Sequence, residues 1–237
     1  MKKKLLLLAI VGAVLLSAGP VLADGDFYVI AGGGAVGTKI TSLPYTINNS
    51  GFYFLSGDLT TAGNGITVAV DNVTIDFMGF SLAHTGARGG TGIYMNGRTN
   101  VEIRNGTVRG FSDGIYEGTG YGHRVINVRG TNNDMSIVFN GNSHLVKDCT
   151  CYNNGTSGIF VNSGAITGSV ACNNGSYGIR LNGPGSVIGN IVNNNTIDGF
   201  NLGTGNIVVD RNSADGNGTN YNGGPTNPVY WGINAGR

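Results

Sequence analysis

Glu117, His123 and His144 are the side chains whose types and spacing most readily suggest chemistry. Glu117 takes a place in a recurring phrase that other copies fill with Met95, Phe139, Val161 and Leu181. An inward carboxylate there is costly to bury, and its pKa would rise, which suits an acid or a base. A bulge at Gly118-Thr119-Gly120 that turns Glu117 outward is the simpler expectation. His123 follows in the same repeat and His144 comes 21 residues later, so their rings are expected side by side. The reading adopted for this pair is that no metal is held. Arginine is unevenly placed: Arg88, Arg98, Arg104, Arg109, Arg124 and Arg129 are six of the nine. Such a patch can grip the carboxylates of an acidic polysaccharide by paired hydrogen bonds. Pairing with Asp76, Glu102 and Asp113 is the competing expectation. If the chain were an enzyme, Arg124 or Arg104 would act as base or neutraliser and Glu117 as acid or base. Cys149, Cys151 and Cys172 are the three thiols. Cys151 and Cys172, 21 residues apart, are expected to stack one coil on the next, as a disulfide or as free core residues.

The elements that must position these groups are set by the phrase itself. It recurs as Gly92-Ile93-Tyr94-Met95-Asn96, Gly114-Ile115-Tyr116-Glu117, Ser136-Ile137-Val138-Phe139-Asn140, Gly158-Ile159-Phe160-Val161-Asn162, Gly178-Ile179-Arg180-Leu181-Asn182 and Gly199-Phe200-Asn201-Leu202. The lead residues are 22, 22, 22, 20 and 21 apart. A period of this size marks a solenoid. Residues two apart share a face of a strand, so each Ile and the residue two later point inward. Stacking places Ile66, Ile93, Ile115, Ile137, Ile159, Ile179 and Phe200 in one column at about 4.8 Å per step. One coil cannot bury its own face, so the coils must stack. A second apolar series runs through Val73, Ile75, Val101, Ile103, Leu145, Ile166, Val187 and Ile207. A third lies near Val108, Val128, Cys151, Val170 with Cys172, and Ile191. Three short strands per coil predict an all-β parallel β-helix of about seven to eight coils of 20–22 residues, with caps at both ends. Corners fall at Asn and Gly runs such as Asn153-Asn154-Gly155, Asn173-Asn174-Gly175 and Asn193-Asn194-Asn195, residues that accept left-handed backbone angles. Stacked Asn side chains at these corners are expected to form amide ladders.

The outward residues of the phrase make a surface column: Tyr94, Tyr116, Val138, Phe160, Arg180 and Asn201. Three aromatic rings on one flat face suit sugar stacking, and also suit contacts between copies of the chain. The expected ligand face is Tyr94, Tyr116, Phe160 and Arg180, with Arg109 and Arg104 adjacent.

The ends differ from the middle. Residues 1–23 read as a signal peptide, with Lys2, Lys3 and Lys4, an apolar stretch from Leu5 to Leu16, and the small-x-small site Val21-Leu22-Ala23. Its removal leaves 11 basic against 13 acidic residues. That balance argues against nucleic acid as a partner. No stable membrane span is expected after cleavage, and the product is expected in the periplasm, at the cell surface or outside. Residues 24–64 read as an N-terminal cap and first irregular coil, with a strand at Phe27–Ile30. Residues 65–212 read as the β-helix. Residues 213–237 read as a C-terminal cap or tail carrying Val229-Tyr230-Trp231.

Several stretches resemble a known group. Ile40-Thr41-Ser42-Leu43-Pro44-Tyr45-Thr46-Ile47, Gly51-Phe52-Tyr53-Phe54-Leu55-Ser56-Gly57-Asp58-Leu59, Gly65-Ile66-Thr67-Val68, Asn72-Val73-Thr74-Ile75-Asp76 and Asn105-Gly106-Thr107-Val108-Arg109-Gly110-Phe111 are similar to secreted bacterial right-handed parallel β-helix repeat proteins. That group is related to pectate-lyase-like folds and to the β-helix of NosD-type periplasmic proteins. The resemblance covers about residues 40–215 and implies fold and export more than activity. Calcium-dependent lyases of this architecture need a carboxylate cluster for the ion, and its hydrolases need paired carboxylates at set separation. Here 13 acidic residues are spread thinly, and the calcium-binding Gly-Gly-x-Gly-x-Asp repeat is absent. The expected function is therefore non-catalytic: binding a polysaccharide or cell-envelope glycan without a cofactor. Two alternatives stand beside it. One is a lyase or epimerase on a uronate polymer, the only case that would call for calcium. The other is a surface protein that assembles with copies of itself.

Overall fold

The structure is a computed structural model that describes residues 37–223 and 230–236. The expected signal peptide and the Phe27–Ile30 strand lie outside the described residues, as does Val229.

The chain winds as a parallel β-solenoid with three faces, and every strand pairing is parallel. The first face is a nine-stranded sheet built from the repeated phrase. Its strands are Tyr45–Ile47, Ile66–Val68, Thr91–Tyr94, Asp113–Glu117, Met135–Phe139, Ser157–Val161, Tyr177–Leu181, Asp198–Leu202 and Thr219–Gly223. The second face runs from Thr38–Ile40 through Gly51–Leu55, Val73–Asp76, His144–Lys147, Gly164–Thr167, Gly185–Ile188 and Ile207–Asp210 to Tyr230–Trp231. The third holds Leu59–Thr61, Ser81–His84, Thr150–Tyr152, Val170–Cys172, Ile191–Asn193 and Ser213–Asp215. Two long strands, Val101–Arg109 and Arg124–Thr131, pass through both the second and third faces and join them into one sheet. Strand pairing thus begins at Thr38 and continues to Trp231, beyond the 65–212 span that the period marks.

The core is a set of inward columns. On the first face Ile66, Ile93, Ile115, Ile137, Ile159, Ile179 and Phe200 stack in register and are buried. Each contributes on the order of 2 kcal/mol by leaving water. On the second face the column is Ile75, Ile103, Val125, Val146, Ile166, Val187 and Val209. Val146, not Leu145, points inward there. On the third face it is Leu82, Val108, Gly130, Cys151, Ala171, Val192 and Ala214. The expected stacking of Cys151 on Cys172 is therefore corrected: Cys151 meets Ala171, and Cys172 meets Tyr152 on the outside. The coil between them is one residue shorter than the 21 assumed, and a one-residue slip turns a strand residue to the opposite face. All three cysteines are free thiols.

Asparagine ladders hold two corners. Between the third and first faces the backbone N–H of Asn133, Asn154, Asn174 and Asn195 each donates to the side-chain oxygen one coil on, at 3.0, 3.1, 3.0 and 2.9 Å. The residues just before them, Asn132, Asn153, Asn173 and Asn194, take φ near +55°. Asparagine tolerates that left-handed angle better than most side chains. Between the second and third faces Asn190 and Asn212 repeat the pattern at 2.9 Å. Each satisfied buried amide contributes about 1 kcal/mol net and avoids the larger cost of an unpaired donor.

Candidate functional site

The outer side of the first face carries the column expected to bind ligand. Register places Tyr94, Tyr116, Val138, Phe160, Arg180, Asn201 and Asn222 in one line. The rings of Tyr94 and Tyr116 stack at 5.9 Å with 8° between planes. On the far side of Tyr94 the line continues with Thr67, too small to cover a tyrosine ring. Val138 lies flat between its larger neighbours and is only 3 % exposed. The Arg180 guanidinium sits 5.3 Å over Phe160 and 5.6 Å over Tyr177, and Nε donates to Asn182 Oδ1 at 2.9 Å. Arg180 is thus a positioned cation with no acidic partner among the described residues. Polar side chains flank it: Asp198 Oδ2 accepts from the amides of Asn201 and Asn222 at 2.7 and 3.0 Å.

The arginine patch is divided among the faces. Arg104 and Arg124 stand on the second face, and both reach Glu102, at 2.9 and 3.1 Å. Arg104 also holds Asp76 at 2.7 Å. Arg109 is exposed on the third face, in register with Ala83 and Thr131. Arg88 bridges outward, donating to the Asn132 and Asn153 carbonyls and pairing with Asp134. Pairing with acids accounts for Arg104 and Arg124. The expectation that Arg109 and Arg104 adjoin the tyrosine column is corrected, because a strand of the second or third face points its outer side chains away from the first.

Glu117 points inward and is fully buried, so the expected outward bulge is corrected as well. Its carboxylate is satisfied by backbone. Gly120 N–H donates to Oε1, and Gly141 N–H donates to Oε2 at 3.0 Å. Both donors are glycines for steric reasons: a Cβ on Gly141 would sit 2.0 Å from the Gly120 carbonyl oxygen. Burial pushes the Glu117 carboxyl up, but the His144 ring and the two amides outweigh it and hold the group below its ordinary range. His144 Nε2 lies 3.3 Å from Oε2, close enough for attraction but poorly directed for a hydrogen bond. His123 and His144 are neighbours as expected, their rings stacked at 5.2 Å with 8° between planes, and Phe139 packs against His144 at 4.6 Å. The proposed acid–base trio of Glu117, Arg104 and Arg124 is therefore not one site: Glu117 is inside the coil and the arginines are outside on another face. What sequence reasoning missed was the source of donors for Glu117. The signal was the glycine at 120 and the glycine one coil later at 141.

A three-faced parallel solenoid with one aromatic and amide-rich outer face defines the class: a β-helix repeat protein. The chain belongs to the NosD family, described as periplasmic copper-binding protein, whose model matches residues 59–228. Among solved structures it is similar to the pectate lyase Pel9A, at 18% identity and a TM-score of 0.60, over 85% of this chain and 63% of that one. It is also similar to the Dettilon tailspike protein, at 15% identity and a TM-score of 0.59, over 76% of this chain and 42% of that one. A third likeness is to ORF18 of Geobacillus virus E2, at 16% identity and a TM-score of 0.53, over 84% of this chain and 52% of that one. The chain spans less than two thirds of each of these proteins, and the likeness is one of fold. No curated protein matches it in sequence.

The family description raises the question of copper. Among the described residues one group of side chains brings three ligand atoms within 4.8 Å of one another: Glu117, His123 and His144. It does not fit an ion. Nδ1 of His123 accepts the Val101 N–H at 3.1 Å, and Nδ1 of His144 accepts the His123 N–H at 3.3 Å. The ring proton of each neutral imidazole therefore sits on Nε2, the atom that faces the group.

Proposed function

We propose that this protein is exported and binds a polysaccharide along the outer side of its first face, without altering it. The observation that carries this reading is the Tyr94–Tyr116 stack, prolonged by Phe160 and the Arg180 guanidinium on the same line. Tyrosine offers an apolar body for the flat faces of sugar rings and a hydroxyl for their edges. The open face of Tyr94 beside Thr67 is the first such platform. Arg180, fixed by Asn182 and without an acidic partner among the described residues, supplies a charge for a uronate carboxylate. The family's periplasmic description supports export. A buried Glu117 cannot touch a polymer, so the geometry favours binding over lyase or epimerase chemistry.

Gel-retention and co-sedimentation with uronate-containing and neutral polysaccharides test this. The wild type is expected to be retained, and the double variant Tyr94→Ala/Tyr116→Ala to migrate freely while remaining folded. Equal retention of both would sink the proposed face. Appearance of an unsaturated, ultraviolet-absorbing product would move the reading to a lyase. Concentration-dependent oligomers with no retention would move it to a self-assembling surface protein.

A further inference from the structure

We propose that His123 and His144 are rungs of a hydrogen-bonded ladder in which imidazole takes the part of asparagine, and that they do not form the copper site of the family's description. The comparison is internal to the chain. At the corner between third and first faces, the N–H of Asn154 donates to Asn174 Oδ1 one coil on, and that of Asn174 to Asn195 Oδ1. At the start of the second face, the N–H of Val101 donates to His123 Nδ1, and that of His123 to His144 Nδ1. Direction, offset of one coil and inward placement are the same. The imidazole Nδ1 stands where the amide oxygen stands elsewhere, whereas the ring Nε2 makes no hydrogen bond and does not repeat the donation of the amide N–H₂.

Three features of this arrangement oppose metal binding. A metal-bound histidine ordinarily donates a hydrogen bond from its other ring nitrogen. Here the other nitrogen accepts one in both rings, so ligation at Nε2 would require either an imidazolate or a shift of the proton to Nδ1, which breaks the backbone bond of the ladder. Second, nitrogen lone pairs lie in the ring plane. With the rings stacked, planes 8° apart and centroids 5.2 Å apart, the two lone-pair planes are nearly parallel, and one ion cannot lie in both. A metal needs both nitrogens at about 2.0–2.1 Å. Third, Glu117 already accepts from the N–H groups of Gly120 and Gly141, which secure the turn beside it. The third histidine, His84, is elsewhere, packed edge-on to Phe111.

Long-range ¹H–¹⁵N correlation spectra of the whole purified chain read the ring tautomers directly. With three histidines in the sequence, a His84→Gln variant identifies the remaining two. The ladder predicts that both are neutral Nε2–H tautomers at neutral pH. Their signals should not move when one equivalent of Zn²⁺, or of Cu⁺ under reducing conditions, is added. An Nδ1–H tautomer in either ring, or displacement of either signal by metal, would overturn the proposal. A second arm compares His144→Asn and His144→Ala. Asparagine restores an acceptor and should keep most of the wild-type unfolding midpoint, whereas alanine should lose it. Equal losses would count against the ladder. Metal content by mass spectrometry must not fall in His144→Asn relative to wild type; a fall would assign the ion to these rings. Copper held equally by both proteins would place it elsewhere on the chain and support the ladder. Should His144→Asn not fold, the wild-type tautomers and their response to metal decide alone.

Discussion

Replacing Glu117 by glutamine changes one heavy atom, an oxygen to an N–H₂, in a fully buried site, and the structure sets the expected cost. The carboxylate accepts from Gly120 N–H and Gly141 N–H through separate oxygens. Glutamine keeps one of these oxygens and turns an amide N–H₂ toward the other donor. One charge-assisted bond, at about 1.5–3 kcal/mol, is lost and the opposing N–H is left buried without an acceptor. A destabilisation of about 3 kcal/mol follows, equivalent to about 6–12 °C in melting temperature for a domain of this size. The site is a rigid corner, since Gly141 has no space for a Cβ, and little relaxation is available to soften the loss. Urea unfolding followed by circular dichroism, with thermal melts as a check, would measure it. Glu117→Leu is the informative companion, because leucine is what Leu181 supplies three coils on in the same column. If the carboxylate were only a tolerated buried charge, leucine would be neutral or stabilising. If it ties down two turns, leucine also destabilises by orphaning both N–H groups. Glutamine within about 0.5 kcal/mol of wild type, or leucine more stable than wild type, would refute the argument.

The remaining predictions are briefer. Burial, and then the neighbouring His144, hold the His123 ring down to about 4. The unfolded chain takes up this proton near the ordinary value of about 6.5, so the native state loses up to about 3 kcal/mol as pH falls from there to about 4, and is unaffected above. Urea midpoints that stay level from about pH 7 to pH 4 would contradict this; Glu117, also held low, adds a further loss at still lower pH as it is protonated, and midpoints that stay level below about pH 4 would contradict that. Burial pushes the thiol of Cys151 up to about 12 and that of Cys149 higher still, while Cys172 is half-buried on the outer surface. A thiol reagent should therefore label Cys172 alone, slowly, in the native protein and all three cysteines in denaturant.

Much of the architecture was legible because the first face is strictly periodic. Ile93, Ile115, Ile137, Ile159 and Ile179 announce both the inward column and, by alternation, the outward line of Tyr94, Tyr116, Phe160 and Arg180. The second and third faces were less legible for a specific reason. Most of their strands are short, and coil length varies from 28 residues between Val73 and Val101 to 20 between Cys151 and Ala171, so a spacing of 21 puts Cys172 under Cys151 where the register places Ala171. The same variation sets Leu145 at the inward position by spacing, whereas it is Val146 that lies under Val125. The asparagine corners were readable from composition, since few other side chains take the left-handed angle and also carry an amide for a ladder. The histidine rungs were not, because imidazole is a familiar metal ligand and its use as a backbone acceptor leaves no mark in spacing. The inward turn of Glu117 was hidden similarly: its partners are backbone N–H groups, which every residue has. The arginine cluster shows the limit of one-dimensional proximity, since Arg104 and Arg109, five residues apart, stand on different faces.

The central functional claim concerns the line from Tyr94 to Arg180, which crosses four coil steps, or about 19 Å at about 4.8 Å each. Calorimetric titration of the wild type and of Tyr94→Ala/Tyr116→Ala with uronate oligosaccharides of increasing length tests it most directly. The account predicts that affinity rises with length until the ligand spans that line and then levels off. It also predicts that the double variant loses the gain contributed by the tyrosine end. Affinity independent of length, or equal in the two proteins, would contradict it.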